Sequence, residues 1–257
     1  MRELLAGLPL ALVLLAGCTA MPQASDAPPL DGTAWVLSAL PGVELAGSAP
    51  ATLRFEGGRA AGSDGCNRYT VGYTAKRGAI EFPQRAASTQ MACPPNVMKQ
   101  AEAFMTALSG ASAYRIEGGK LELLSADGTV RATLAAQSQT LAGTSWRVTG
   151  INNGKGAVAS LVAGSTVAMA FSADGKAAGS AGCNQYTAGY EADRSRLRFS
   201  APASTRKMCA GEGLMEQEQL FLKALEAVAT MRMEGNRLEM RNTQGALMLT
   251  ATQASGS

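Results

Sequence analysis

The chain's chemistry must come from cysteine, tyrosine, hydroxyl and carboxylate side chains, because its 257 residues include no histidine. That absence removes Ser-His-Asp and Cys-His nucleophile systems, imidazole acid/base work and most catalytic metal sites. What remains for an enzyme is a carboxylate pair or a Lys/Tyr device. The candidate groups gather in a phrase written twice, GSDGCNRYTVGYTA at 62–75 and GSAGCNQYTAGYEA at 179–192. Its only carboxylate in the first copy, Asp64, is Ala181 in the second, so no acid there serves both. Ser63/Ser180 and Thr70/Thr187 recur with no base beside them. Glu122 and Glu239 match each other, but they fall on terminal strands whose facing side is solvated, and paired-carboxylate catalysis needs a second acid at a set distance. No G-x-G-x-x-G or Walker loop cradles a phosphate. The chain is therefore expected not to be an enzyme and to need no cofactor.

The elements that hold these residues are repeated as well. Gly32-Thr33-Ala34-Trp35 answers Gly143-Thr144-Ser145-Trp146, and STQMAC (88–93) answers STRKMC (204–209). MKQAEAFMTAL (98–108) answers MEQEQLFLKAL (215–225), and the closing segments 116–134 and 233–251 also correspond. A domain of about 110 residues has been duplicated in tandem, with its join near 135–143. Period-two alternation at 53–55, 166–171 and 196–199 predicts half-buried strands. Turn residues at 117–120 and 126–129, and at 234–237 and 243–246, predict a three-strand meander ending each copy. Met98, Ala101, Met105 and Leu108 recur at helical spacing, as do Met215, Gln219, Leu222 and Leu225, with Phe104 and Phe221 widening each stripe. The methionines read as core filler, and Asn96 as the N-cap of the first helix.

Each copy is thus expected to be α+β, an antiparallel sheet or partial barrel packed on one amphipathic helix. The glycines at 62, 65, 72, 179, 182 and 189 suit strand turns or bulges. Asn67 and Asn184 suit a side-chain-bonded turn, and Tyr69, Tyr73, Tyr186 and Tyr190 supply aromatic mass with a hydroxyl. The phrase reads as a folding device.

At the N-terminus, Arg2 precedes an apolar run from Leu4 to Ala16, too short to span a bilayer and of signal-peptide length. It ends Leu15-Ala16-Gly17-Cys18, which resembles the bacterial lipobox. That resemblance implies cleavage before Cys18, acylation of Cys18, and retention on a membrane by more than one chain. Thr19, rather than Asp, after the cysteine implies the outer membrane, facing the periplasm. The small, Pro-rich stretch that follows reads as a flexible tether over 18–30. In an exported chain the other four cysteines, Cys66, Cys93, Cys183 and Cys209, argue for disulfides. Of three pairings, only Cys66–Cys93 with Cys183–Cys209 keeps each bridge within one copy. Cysteines this far apart, without histidine, argue against a metal. A net charge of +3 is too small to argue for nucleic acid. Arg194, Arg196 and Arg198 share one strand face; they read as a solvated edge, with contact to anionic envelope polymers or lipid head groups as the functional alternative.

The two phrases, the T-x-M-x-C and T-x-x-M-C segments and the G-K-L-E-L…D-G ending resemble the META domain, the fold of the heat-shock lipoprotein HslJ. The motif positions are Gly65, Asn67, Tyr69, Thr89 and Met91, then Gly182, Asn184, Tyr186, Thr205 and Met208. The second half departs in placing Met208 directly before Cys209, which shifts the register there. The resemblance implies tandem domains over 31–136 and 141–252 behind a signal at 1–17. It also implies an envelope protein that supports integrity under heat or antibiotic stress through protein or glycan contacts. The fold is similar to that of pilotin lipoproteins, which implies a second role, carriage of a lipid or hydrophobic peptide.

Overall fold

The computed structural model describes residues 28–47, 49–83 and 85–254. The expected signal sequence, Cys18 with its expected acylation, and most of the expected tether lie outside them. The first copy runs β1 (Ala34–Ala39), β2 (Thr52–Glu56), β3 (Arg59–Ser63), β4 (Arg68–Gly72), β5 (Thr74–Lys76), β6 (Ala79–Glu81), β7 (Ala87–Ser88), α1 (Pro95–Ser109), β8 (Ala113–Glu117), β9 (Lys120–Leu124) and β10 (Val130–Ala136). The second runs β11 (Thr144–Asn152), β12 (Val158–Ala159), β13 (Ala168–Phe171), β14 (Lys176–Ser180), β15 (Gln185–Asp193), β16 (Arg196–Phe199), β17 (Ala203–Ser204), α2 (Leu214–Ala227), β18 (Thr230–Glu234), β19 (Arg237–Arg241) and β20 (Leu247–Gln253).

In the second copy the antiparallel order β11-β13-β14-β15-β16-β18-β19-β20 closes on itself, because β20 pairs back onto β11. The first copy follows the same order but its sheet stays open, because the strand equivalent to β15 is two pieces, β4 and β5, on either side of Tyr73, and these lie toward opposite edges. Each sheet is thinnest just before the terminal meander, where one residue pair joins β6 to β8 (Ala79, Ala113) and one joins β16 to β18 (Arg196, Thr230). Alternation fills each interior. Leu53, Phe55, Leu121, Leu123 and Leu134 form one core, and Trp146, Met169, Phe171, Leu238 and Leu249 the other.

The repeated G-T-x-W segment builds the corner that begins each sheet. Trp35 Nε1 donates to Thr33 Oγ1 at 2.7 Å, and the Thr33 hydroxyl in turn donates to the Leu30 carbonyl. Trp146, Thr144 and Leu141 repeat the relay. A buried indole N–H must have an acceptor, and a threonine two residues earlier supplies it. Leu30 is itself buried and the Pro28 carbonyl accepts from Tyr114 Oη. The described fold therefore already includes Pro28 and Leu30, ahead of the start at 31 expected from the sequence.

Helix α1 starts from Pro94, not Asn96: Pro95 occupies the first turn, and no side chain caps the end. Proline belongs at that position because its missing N–H would have had no partner there. The buried face is Val97, Gln100, Ala101, Phe104, Ala107 and Leu108, and in α2 it is Gln217, Glu218, Phe221, Ala224 and Leu225. Ala101, Phe104, Leu108, Phe221 and Leu225 of the expected stripes are buried, and each face is turned so that the phenylalanine is central. Met105 packs half-buried against the first core, whereas Met98 is exposed and is not the core filler the spacing suggested.

The join between copies is a clasp. The Gln137 side-chain amide donates to the Gly235 carbonyl and accepts from the Gly235 N–H, at 3.1 and 2.7 Å. Gln139 does the same to Met233, at 3.2 Å each way. The β18–β19 hairpin also lies against β2. Thr52, on the outer face of the first sheet, is only 4% exposed and donates to Glu234 Oε1 at 3.0 Å. Arg68 Nη2 reaches Glu234 Oε2 at 2.8 Å.

Candidate functional site

The duplicated phrase forms a turn at one end of each sheet, between the strand pair that carries it and the N-terminal half of the helix. In the first copy Asp64 Oδ1 accepts from the Cys66 and Asn67 N–H groups, at 2.8 and 2.5 Å. Asn67 Oδ1 accepts from Met91 N at 2.7 Å and Thr89 Oγ1 at 3.1 Å, and that Thr89 oxygen accepts from Arg68 N. One asparagine side chain thus fixes the T-x-M-x-C segment. The Cys66–Cys93 bridge, with its Cα atoms 6.0 Å apart, fastens the same segment covalently. Gly65 has φ +100°, and a Cβ there would lie 2.8 Å from Gln100 Nε2. Gln100 needs that space because its Oε1 accepts from Ala46 N at 2.7 Å.

The second copy keeps this wiring and changes its anion. Asn184 Oδ1 accepts from Lys207 N and Thr205 Oγ1, both at 2.7 Å, and Cys183–Cys209 closes the loop, again with Cα atoms 6.0 Å apart. Gln217 Oε1 accepts from Val162 N at 2.6 Å, and a Cβ on Gly182 would lie 2.8 Å from Gln217 Nε2. Where Asp64 stood is Ala181, and the missing carboxylate comes from the helix. Glu218, 5% exposed, accepts from Asn184 N at 2.8 Å and from Asn184 Nδ2 at 3.0 Å. The residue at the Glu218 position in α1 is Ala101. One acidic acceptor serves each turn, carried on a different segment in each copy.

Tyr69 and Tyr186 point into the cores, edge-on to Phe104 and Phe221. Tyr69 Oη donates to the Thr52 carbonyl at 2.8 Å. Tyr186 Oη is buried with no partner among the described residues. Burial pushes both phenols up, that of Tyr69 further still through the nearby charges of Glu234 and Asp64. Neither can act as a base near neutral pH. Gly62 and Gly179 mark no turn, contrary to the sequence reading. A Cβ on them would lie 2.1 Å from the carbonyl oxygens of Thr52 and Ala168, so the absent side chain makes room for the neighbouring strand. Gly72 has open space around it, and nothing in the structure explains it.

Met91 and Met208 are exposed, but they are not equivalent. The hydrogen bond that Met91 N gives Asn67 is given to Asn184 by Lys207 N, one residue before Met208. Ser63 Oγ and Ser180 Oγ accept from Gly65 N and Gly182 N. Glu122 is ion-paired with Arg115, and Glu239 with Arg241 at 2.9 Å. Arg194 sits at the β15–β16 turn, Arg196 pairs with Asp193, and Arg198 lies across from Glu191. Of the three arginines named for an anionic contact, Arg196 is thus ion-paired with a carboxylate and Arg198 has one opposite it on the next strand. Among the described residues, no three His, Cys, Asp or Glu side chains lie where they could hold a metal.

Sequence reasoning missed Gln100, Gln217 and Glu218, although two glutamines at matching places on an apolar helix face were a visible signal. It also missed Arg54, Arg232 and Glu234, which meet only once the two copies are docked.

This architecture defines a class: a duplicated, disulfide-fastened antiparallel barrel with one helix per copy and a turn built on Gly-Cys-Asn-x-Tyr. The META domain family model matches residues 28–138 and again 139–255, and the chain belongs to that family as two tandem copies. An NMR structure of a protein from Burkholderia xenovorans is 23% identical, covering 45% of this chain and 85% of its own, with a TM-score of 0.39. A second NMR structure is 21% identical, covering 43% and 88%, with a TM-score of 0.34. No curated protein matches the chain.

Proposed function

We propose that this chain is a membrane-anchored, non-catalytic lipoprotein of the cell envelope that supports integrity under heat or antibiotic stress through contacts with a protein or glycan. The observation that carries this reading is the use of the motif. The polar side chains of the duplicated phrase and its partner segments bond backbone and side-chain groups of their own turn, and the cysteines close bridges. Such a turn holds a scaffold and leaves contact work to the outer surface. Two disulfides suit an oxidising compartment, and the resemblance of Leu15-Ala16-Gly17-Cys18 to a lipobox supports an acyl anchor at Cys18. The test is complementation of a deletion strain. Wild-type protein is expected to fractionate with the membrane and restore tolerance. Cys18→Ser is expected to appear in the soluble periplasmic fraction and fail to restore it. A Cys18→Ser protein that stays membrane-bound, or complements fully, overturns the reading.

A second reading, carriage of a lipid or hydrophobic peptide, is favoured by one groove. It has a volume of about 840 Å³ and runs along α1, lined by Val71, Phe82, Ala86, Met105 and Leu108. Native mass spectrometry of protein extracted from its membrane decides it. Lipid bound beyond the covalent acyl groups supports carriage, and protein free of it counts against.

A further inference from the structure

Docking the two copies creates a site that neither contains. Along the outer face of β2, β3 and β4 the small residues Ala61 and Ser63 lie between Arg54 and Arg68, since Arg54 pairs with Ala61 and Ser63 with Arg68. The second copy brings Arg232 and Glu234 to the same place on β18. Glu234 is the shared counter-ion, 2.8 Å from Arg68 and 3.4 Å from Arg232. One carboxylate cannot serve three guanidinium forks. Arg232 Nε is buried with no acceptor among the described residues. Arg54 stands two residues from Thr52 on the same outer face of β2, and Thr52 is itself bonded to Glu234; Arg54 is half-buried, with Arg232 and Glu234 near enough to act on its charge. Glu56 also acts on Arg54, and Glu239 on Arg68, but Glu239 is bonded to Arg241. The side chains of Arg68 and Arg232 remain 51% and 40% exposed, so solvent reaches part of each although Arg232 Nε is covered.

We propose that this seam binds a phosphate group, with Arg54 and Arg232 as its principal donors and Arg68 completing the clamp. Guanidinium forks gathered on one seam suit a tetrahedral anion, which offers oxygens in several directions where a carboxylate offers two in one plane. The site requires the tandem arrangement, because Arg54 and Arg68 come from one domain and Arg232 from the other. It does not depend on acylation of Cys18. Its phosphate can be a free anion or the head group of a phospholipid, and these sources are separable.

The test follows arginine Nε–Hε resonances of the whole tandem chain while inorganic phosphate is added. Saturable shifts at Arg54 and Arg232 are expected, with Arg198 unmoved. Arg54→Gln should weaken phosphate binding about tenfold, the loss of one charge-assisted pair. In a flotation assay, binding to phosphatidylcholine vesicles only when they contain phosphatidic acid assigns the phosphate to lipid; titration with inorganic phosphate but no flotation assigns it to a free anion. Absence of saturable shifts at both arginines, or equal affinity in the wild type and Arg54→Gln, overturns the proposal.

Discussion

Tyr69 and Tyr186 occupy the same place in the duplicated phrase, and the structure separates them by one hydrogen bond. Removing the Tyr69 hydroxyl leaves the buried Thr52 carbonyl without its donor, so Tyr69→Phe should cost about 1 kcal/mol. Tyr186→Phe removes a buried hydroxyl that has no partner and should be neutral or stabilising. Thermal unfolding of the two variants side by side checks the sign of each. The migrated carboxylate gives a sharper test. Glu218→Ala strips the acceptor from Asn184 N and should cost roughly 1–3 kcal/mol. Adding Ala181→Asp rebuilds the Asp64 arrangement and should recover part of that loss, a coupling that a double-mutant cycle measures. At this scale the sequence was half legible. The asparagines, cysteines and Gly65 declared their turn. Replacement of Asp64 by Ala181 looked like the loss of an acid, because the compensating Glu218 stands 37 residues further along, and only folding brings the two positions together.

Each disulfide fastens the segment before a helix to the turn that the phrase builds, across sequence separations of 27 and 26 residues. On the loop-entropy account each bridge stabilises by about 3.5 kcal/mol. Replacing both Cys183 and Cys209 by Ser should therefore lower the melting temperature of the second domain on the order of 15 °C. Calorimetry on that variant and on the Cys66/Cys93 counterpart checks it, and an unchanged transition in either would contradict the staple. The terminal meanders were legible, because turn residues and alternation mark them locally. The helices were legible as helices, and so was part of each buried face: Ala101, Phe104, Leu108, Phe221 and Leu225 are buried as expected, whereas the methionines and Gln219 are not, and the cores admit Gln100, Gln217 and Glu218 because each finds a partner. The pairing of β20 with β11, which closes the second sheet, and the equivalent pairing of β10 with β1 inside the open first sheet join opposite ends of each copy and leave no local signal.

Across the whole molecule, duplication has produced a joined pair rather than two beads on a string. Burial by itself pushes Glu234 up, but the hydrogen bond and charge of Arg68, with help from Arg232 and Thr52, outweigh it and hold the carboxyl below its ordinary value of 4.5. A depressed folded value means that this contribution is full above pH 4.5 and is lost as pH falls through the folded value. Acidification below about pH 4 should loosen the seam in the wild type, and Glu234→Gln should abolish that pH dependence. Small-angle scattering from pH 7 to pH 3 checks both outcomes. None of this was legible beforehand, because the sequence around 135–143 looks like a polar join and its glutamines carry no mark of their partners. The most direct measurement of the central claim, that motif-built cores are locked into one body by the seam, is NMR of the whole chain at neutral pH. Residual dipolar couplings and relaxation rates from both domains should fit a single alignment tensor and one correlation time. Separate tensors, with each domain tumbling at the rate of its own size, would contradict it.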